Sequence, residues 1–343
     1  MITHTRNIMI EVYRGIEDKM ELNINQLEGV GPVTVKKLEA FGVKSLIDIC
    51  IRGSKEVAEI TGTAKAKSDQ WVFNAQKILE ENDIIRKTDM TTIELLNYHK
   101  DMELLASKCE ALDKLMTGGL KPECVYEVYG EFGSGKTQFC LSLVVEAIAQ
   151  DKNVVWIDCE DTFRPSRVLE ILQARIDANG DAYSISKEEL EKYLENIDYL
   201  YTPNTEQLMG TINALSDIME KKKPRLVVID GSIGQFREEY LGRGTLADRQ
   251  NQIARLMTHI KNISFYFRCT VLFTNQVQSD PSIMFGDPTK PIGGNVVGHA
   301  STYRMYFKKS GRKRIARMVD SPEHPQGDAP FALDQCGISD VKE

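Results

Sequence analysis

Gly130-Glu-Phe-Gly-Ser-Gly-Lys-Thr137 decides how this chain is read. The stretch satisfies G-x-x-x-x-G-K-[ST] at every position. It follows an apolar run, Val125–Tyr129, and opens a segment, Lys136–Ala149, with the composition of a buried helix. Strand, glycine-rich turn and helix start, in that order, make a phosphate cradle, because the glycines let backbone amides point inward at an anion. Gly130, Glu131, Phe132, Gly133, Ser134, Gly135, Lys136, Thr137 and Gln138 are therefore expected around the phosphates of ATP. Lys136 would reach the β and γ oxygens, and the Thr137 hydroxyl would ligate Mg²⁺.

Outward from the cradle the chain alternates strands and helices. Strands are expected at Val154–Asp158, Ile197–Tyr201, Arg225–Asp230 and Thr270–Thr274, and helices at Pro165–Arg175, Glu206–Glu220 and Ala247–Phe267. Near-continuous apolar strands between helices predict a mostly parallel sheet covered on both faces. At the end, Tyr303–Lys308 and Arg314–Val319 flank Ser310-Gly311 and read as a β-hairpin. The fold class is α/β with a C-terminal hairpin.

A nucleotide site also needs acids at the carboxyl edge of the sheet. Asp230 ends an apolar strand and is expected to hold the magnesium shell together with Thr137. Asp158 and Glu160 end another strand, and one of them would orient the attacking water.

The N-terminal third is organised differently. Residues 1–20 show no period and read as a tail. Residues 21–87 read as short helices separated by glycine, a small all-α domain. Residues 88–108 read as a linker or single strand, and 109–343 as the α/β core. Leu27-Glu-Gly-Val-Gly-Pro-Val-Thr-Val-Lys-Lys-Leu38 is similar to a helix-hairpin-helix motif, with a weaker copy at Ile60–Lys67. Gly29 and Gly31 permit its tight turn, and Lys36 adds charge where backbone amides would face a DNA phosphate.

The 343 residues are 42% hydrophobic and 27% charged, enough apolar material for a sizeable core and unlike a disordered tail, a collagen or a disulfide miniprotein. Seven cysteines without a C-x-x-C pair suit reduced thiols in the cytoplasm, and the first residues do not read as a secretory leader. A net charge of -7 argues against coating nucleic acid by bulk positive charge. Residues 303–318 run against that trend, with seven Lys and Arg and no Asp or Glu.

Longer motifs then carry a family resemblance. Glu160–Arg167 (EDTFRPSR), Phe236–Gly244 (FREEYLGRG), Thr274–Val277 (TNQV) and Gly286–Ala300 (GDPTKPIGGNVVGHA) resemble the archaeal RadA recombinases and their eukaryotic counterparts, from about Leu22 almost to the C-terminus. The resemblance implies a RecA-like ATPase core that polymerises on single-stranded DNA and pairs it with a homologous duplex. It implies that Glu160 activates the water, that Gln276 senses the γ-phosphate and that Arg167 stacks on adenine. Asp320 and Pro325 would cover a neighbouring copy's nucleotide, with a monovalent cation such as K⁺ held there. A first DNA loop would run from Arg237 to Arg249, with Arg237, Arg243 and Arg249 on phosphates. A second would run from Val277 to His299 and include Gly293, Gly294 and Asn295. A nucleoid-associated protein follows from the archaeal likeness.

The chain departs from that family where subunits join. The usual Phe-x-x-Ala segment aligns with Asp89-Met-Thr-Thr92, or with Met90-Thr-Thr-Ile93 after a one-residue slip, so Met90, Thr91, Thr92 and Ile93 stand where an aromatic anchor is expected. Gly231 and Ile233 replace a Ser and a Thr after Asp230, and Gln326 replaces an acid in the cap segment. A strand-exchange recombinase is the first reading. A paralogue or mediator that binds ATP and a partner recombinase without exchanging strands is the second. A RecA-fold signalling ATPase acting on protein is the third, and it requires neither a hairpin domain nor a second DNA loop.

Overall fold

The computed structural model describes residues 23–178, 186–240, 242–279 and 289–342. The expected tail, 1–20, lies outside them. The chain divides between Arg86 and Lys87 into two compact units.

The first unit is helical. A 3₁₀ turn, Ile24–Gln26, precedes helices Pro32–Ala40, Leu46–Thr61 and Lys65–Glu81. The first arm of the expected hairpin is thus one turn rather than a helix, because Leu27 is already extended and Gly29 takes φ +77°. Ser45 and Asp48 close a capping box at the start of the second helix, and Gly62, at φ 72°, ends it. Ile24, Leu38, Leu46, Ile49, Val57, Trp71 and Leu79 form the core, and the Trp71 indole donates to the Glu28 carbonyl at 3.0 Å.

In the second unit the strands are β1 Val125–Gly130, β2 Val154–Asp158, β3 Ile197–Tyr201, β4 Leu226–Asp230, β5 Thr270–Asn275, β6 Val277–Ser279, β7 Thr289–Pro291, β8 Tyr303–Ser310, β9 Lys313–Asp320, β10 Gly327–Asp334 and β11 Gly337–Ser339. Among the described residues nine of them form one sheet in the order β11-β10-β9-β8-β1-β5-β4-β2-β3. From β8 to β3 all neighbours run parallel, and β8 to β11 continue antiparallel. This is a mixed α/β fold with a mostly parallel sheet. The carboxyl ends of β1, β5, β4 and β2 therefore lie side by side along one edge, where ligands bind in open α/β sheets. Phe139, Phe307 and Phe331 pack edge-to-face and tilted beneath the β1 turn, with neighbouring ring centroids 5.4 and 5.0 Å apart.

Four further local expectations change. Residues 88–108 hold a helix, Thr92–Lys100, started by a capping box in which Thr91 N–H donates to Glu94 at 2.8 Å. The run read as one helix over Glu206–Glu220 is two, Thr205–Ala214 and Ser216–Lys222. They meet where Leu215 N–H bonds back three residues to Ile212, a tighter turn that leaves both Leu215 and Met219 buried.

The region from Arg237 to Arg249 is mostly helical. Arg237 sits in the helix Gly234–Glu239, which is pinned by buried Gln235 and Phe236, and Arg249 sits in the first turn of Leu246–Tyr266. The described residues of the second expected loop include two strands and a helix. β6 pairs with β7, and Gly294–Ala300 is a helix.

Candidate nucleotide site and neighbouring surfaces

Gly130 ends β1 in register with Phe307, and a Cβ there would lie 2.1 Å from the Phe307 carbonyl oxygen. Gly133 and Gly135 take φ +71° and +104°, a conformation that favours glycine. The turn thereby delivers the chain to the start of the Lys136–Ala149 helix, whose first amides have no partner within the helix. Ser134 is fully buried, and its hydroxyl has no hydrogen-bond partner. Lys136 folds back over the loop and donates to the carbonyls of Gly130 and Glu131 at 2.8 and 3.0 Å. Burial pulls its ammonium pKa down, and the nearby Glu160 and Asp230 carboxylates oppose that shift. A turn that admits no Cβ at Gly130, an unsatisfied buried hydroxyl and a cation held by loop carbonyls together fit a bound phosphate chain. Phe132, the third residue of the loop, is 96% exposed and Glu131 is exposed, so both stand on the outer rim.

Behind the cradle, Thr137 Oγ1 donates to Asp230 Oδ2 at 3.0 Å, which joins the helix start to the end of β4. Asp230 is only 2% exposed, and burial raises its pKa from 3.8 to about 6 against the hydrogen bonds from Thr274 and Thr137. Thr274, on the intervening β5, donates to Asp230 Oδ1 at 2.5 Å and accepts from Gly231 N–H at 2.8 Å. Its role was not legible in sequence, since it follows from β5 lying between β1 and β4. Thr162 adds a longer contact to Asp230 at 3.3 Å.

The two acids after β2 separate cleanly. Asp158 is fully buried and accepts from the amides of Glu160 and Phe163 at 3.0 and 2.9 Å, so it holds the turn. Glu160 is exposed, packs on Gly231 and accepts from Gln276 Nε2 at 2.9 Å.

Arg167 reaches the same domain edge from the helix Pro165–Ala178. Its guanidinium donates to the Asp334 carbonyl at 2.6 Å and to Gln138 Oε1 at 3.1 Å, which ties it to the cradle helix. Asp320 and Pro325 are not brought there. β8 runs parallel to β1 and β9 returns antiparallel, with Arg304 opposite Asp320 and Lys309 opposite Arg314. Asp320 and the exposed Pro325 thus lie at the opposite end of the strands from the cradle of their own chain. Gln326 donates to Val319 O at 3.3 Å, and Glu323 pairs with Lys121.

The expected DNA-contacting residues are spread over several elements. Arg237 is exposed and Arg249 half-buried; Arg243 opens the short 3₁₀ turn Arg243–Thr245. Gly293 takes φ +96°, where a Cβ would strike Val297 at 2.3 Å, and with exposed Gly294 and Asn295 it starts the helix after β7. Residues 280–288 of the second loop lie outside the described residues. In the helical unit, a Cβ added at Gly29 would lie 3.5 Å from Lys67 Cε, and Lys37 donates to Thr61 O at 2.8 Å. Each glycine turn therefore meets a lysine from the other copy, while Lys36 and Gly31 face solvent.

The basic hairpin of residues 303–318 is partly neutralised. Arg304 pairs with fully buried Glu127 at 2.6 Å, and Arg317 grips Asp328 at 2.7 and 2.8 Å. Met90 is half-buried, whereas Ile93 and Leu96 project 61% and 48% exposed from the Thr92–Lys100 helix.

A glycine cradle on β1, with a Thr–Asp pair bridging to β4 two strands away, defines a P-loop nucleotide-binding domain with a RecA-like sheet. Residues 99–341 match the Rad51 family model. Over 328 residues the chain is 40% identical to the DNA repair and recombination protein RadA of Cenarchaeum symbiosum (strain A), covering 94% of this chain and 80% of that one. It is 36% identical over 330 residues to the RadA protein of Methanoculleus marisnigri, covering 93% and 98%. The chain belongs to the Rad51 family.

Proposed function

We propose that the chain is an ATP-dependent recombinase of DNA repair and recombination, which assembles on single-stranded DNA and exchanges strands with a homologous duplex. The observation that carries this reading is the hydrogen bond between Glu160 and Gln276 at the cradle edge. It joins the residue suited to orient water to the residue that leads into the β6–β7 segment. Kinship with proteins named for DNA repair and recombination supports the same assignment.

In this reading Lys136 exchanges the carbonyls of Gly130 and Glu131 for phosphate oxygens. Thr137 and Asp230 would hold Mg²⁺, which would supply neutralisation of the phosphate charge when bound. Glu160 accepts a hydrogen bond from water aligned with the γ-phosphate, and Gln276 holds that carboxylate in place. Arg167 supports the base. Arg237, Arg243, Arg249 and the Gly293–Asn295 turn meet DNA phosphates, with Gly29, Gly31 and Lys36 forming a second contact.

Because Asp320 and Pro325 lie at the far end of the strands, they can cover only another copy's nucleotide, so ATP binding favours self-assembly. The segment Met90–Ile93 joins the copies. Its lack of an aromatic ring favours a second reading, a paralogue or mediator that binds ATP and a partner recombinase.

Strand exchange between circular single-stranded DNA and a homologous linear duplex, followed together with ATP hydrolysis, tests the proposal. Joint molecules that require ATP support it. Hydrolysis without joint molecules selects the paralogue, and absence of both overturns the ATPase assignment.

A further inference from the structure

Gln235 is 7% exposed, and its Nε2 donates to two backbone carbonyls, Cys159 O at 3.0 Å and Thr202 O at 2.6 Å. Those carbonyls follow β2 and β3, so one side chain from the helix after β4 clamps the ends of three strands. The amide orientation is set by chemistry, since the flipped form would turn Oε1 on two carbonyl oxygens. In the fixed orientation Oε1 is buried without a partner. A buried unsatisfied acceptor costs stability and calls for an explanation other than stability.

The position of the clamp supplies one. Cys159 immediately precedes Glu160, and the Glu160 side chain rests on Gly231, where an added Cβ would lie 2.5 Å from Glu160 Cγ. Gln235 grips the peptide just before Glu160, while Gly231, four residues upstream of Gln235, supports its side chain. Gly234 faces Gln276 as well, and a Cβ added there would lie 3.6 Å from its carboxamide. The same short helix, Gly234–Glu239, exposes Arg237 and is anchored at its far end by Glu239, which accepts from Thr205 N–H at 2.8 Å.

We propose that Gln235 is a positioning residue for ATP hydrolysis, fixing Glu160 by holding the Cys159 and Thr202 carbonyls and tying it to the helix that carries Arg237. This rests on the ATPase reading above. It requires a donor of suitable reach at position 235, not merely a residue of the right volume.

Gln235→Met keeps the volume and removes the donor. Gln235→His restores one N–H donor. The full-length protein is assayed for ATP turnover with and without single-stranded DNA, alongside binding of a fluorescent ATP analogue and circular dichroism. The expected result is a fall in kcat of about tenfold for Q235M, with KM and analogue affinity within about twofold of wild type. Q235H should recover at least about half of the lost rate. If Q235M does not fold, Gln235→Leu, which has no donor in any protonation state, carries the test.

Wild-type turnover by Q235M, or equal loss in Q235M and Q235H, overturns the positioning role. So does lost analogue binding in a folded Q235M. A wild-type protein that binds the analogue but never hydrolyses ATP overturns the functional reading itself, and the inference with it.

Discussion

Gln276 Nε2 lies 2.9 Å from Glu160 Oε1 and donates to it. The residue that leaves β5 therefore touches the residue that leaves β2, across the end of β4. A carboxylate held this way can orient water while remaining exposed. Glu160→Gln keeps an oxygen for Gln276 but removes the base. We expect ATP turnover to fall by at least about 100-fold, the scale of a lost general base, with ATP affinity retained. Turnover near wild type would remove Glu160 from the mechanism.

Asp230 couples function to instability. Its carboxyl titrates at about 6 in the folded chain, mainly because of burial, against 3.9 in an unfolded chain. The folded state thus holds the proton more tightly, so this group's contribution to stability is greatest below about pH 4, declines as pH rises toward 6 and stays reduced above it. The penalty at neutral pH is on the order of 2–3 kcal/mol. Asp230→Asn should be at least as stable as wild type at pH 7 without nucleotide, and its melting temperature should lose this pH dependence. The same variant should lose Mg²⁺-dependent nucleotide binding.

The two arginine–carboxylate pairs of the C-terminal strands should behave oppositely. Glu127 is fully buried between Arg304 and Asn275, and burial raises its pKa despite the arginine. Arg304→Met leaves that acid unpaired and should cost about 3–5 kcal/mol in urea denaturation. Arg317 and Asp328 meet in solvent, so Arg317→Ala should change stability by no more than about 1 kcal/mol.

Arg237 projects from a short helix braced at Gln235 and Glu239. If it meets a DNA phosphate, Arg237→Ala should flatten the dependence of log K on log salt by about 0.7 for single-stranded DNA. Anisotropy titrations at four salt concentrations measure that slope, and an unchanged slope would place Arg237 off the DNA.

The sheet was legible because its strands are short runs set between helical segments, with β1 ending in glycine and β2 and β4 in aspartate. Lys136–Ala149, Val154–Asp158 and Ile197–Tyr201 fall where the pattern put them. The helix over Thr92–Lys100 was missed although Thr91-x-x-Glu94 spells a capping box, since polar composition outweighed a local signal. The loop expected from Arg237 onward begins as a helix instead, because Gln235 and Glu239 hold that segment through contacts distant in sequence. Thr274 and Gln235 act through strand order, which no local pattern encodes. The placement of Asp320 away from its own cradle also depends on strand direction.

The most direct test of a strand-exchange recombinase is electron microscopy of the purified chain with single-stranded DNA, Mg²⁺ and a slowly hydrolysed ATP analogue. Regular helical filaments are expected, requiring the nucleotide and absent for Lys136→Ala. Discrete particles under the same conditions would contradict that assignment.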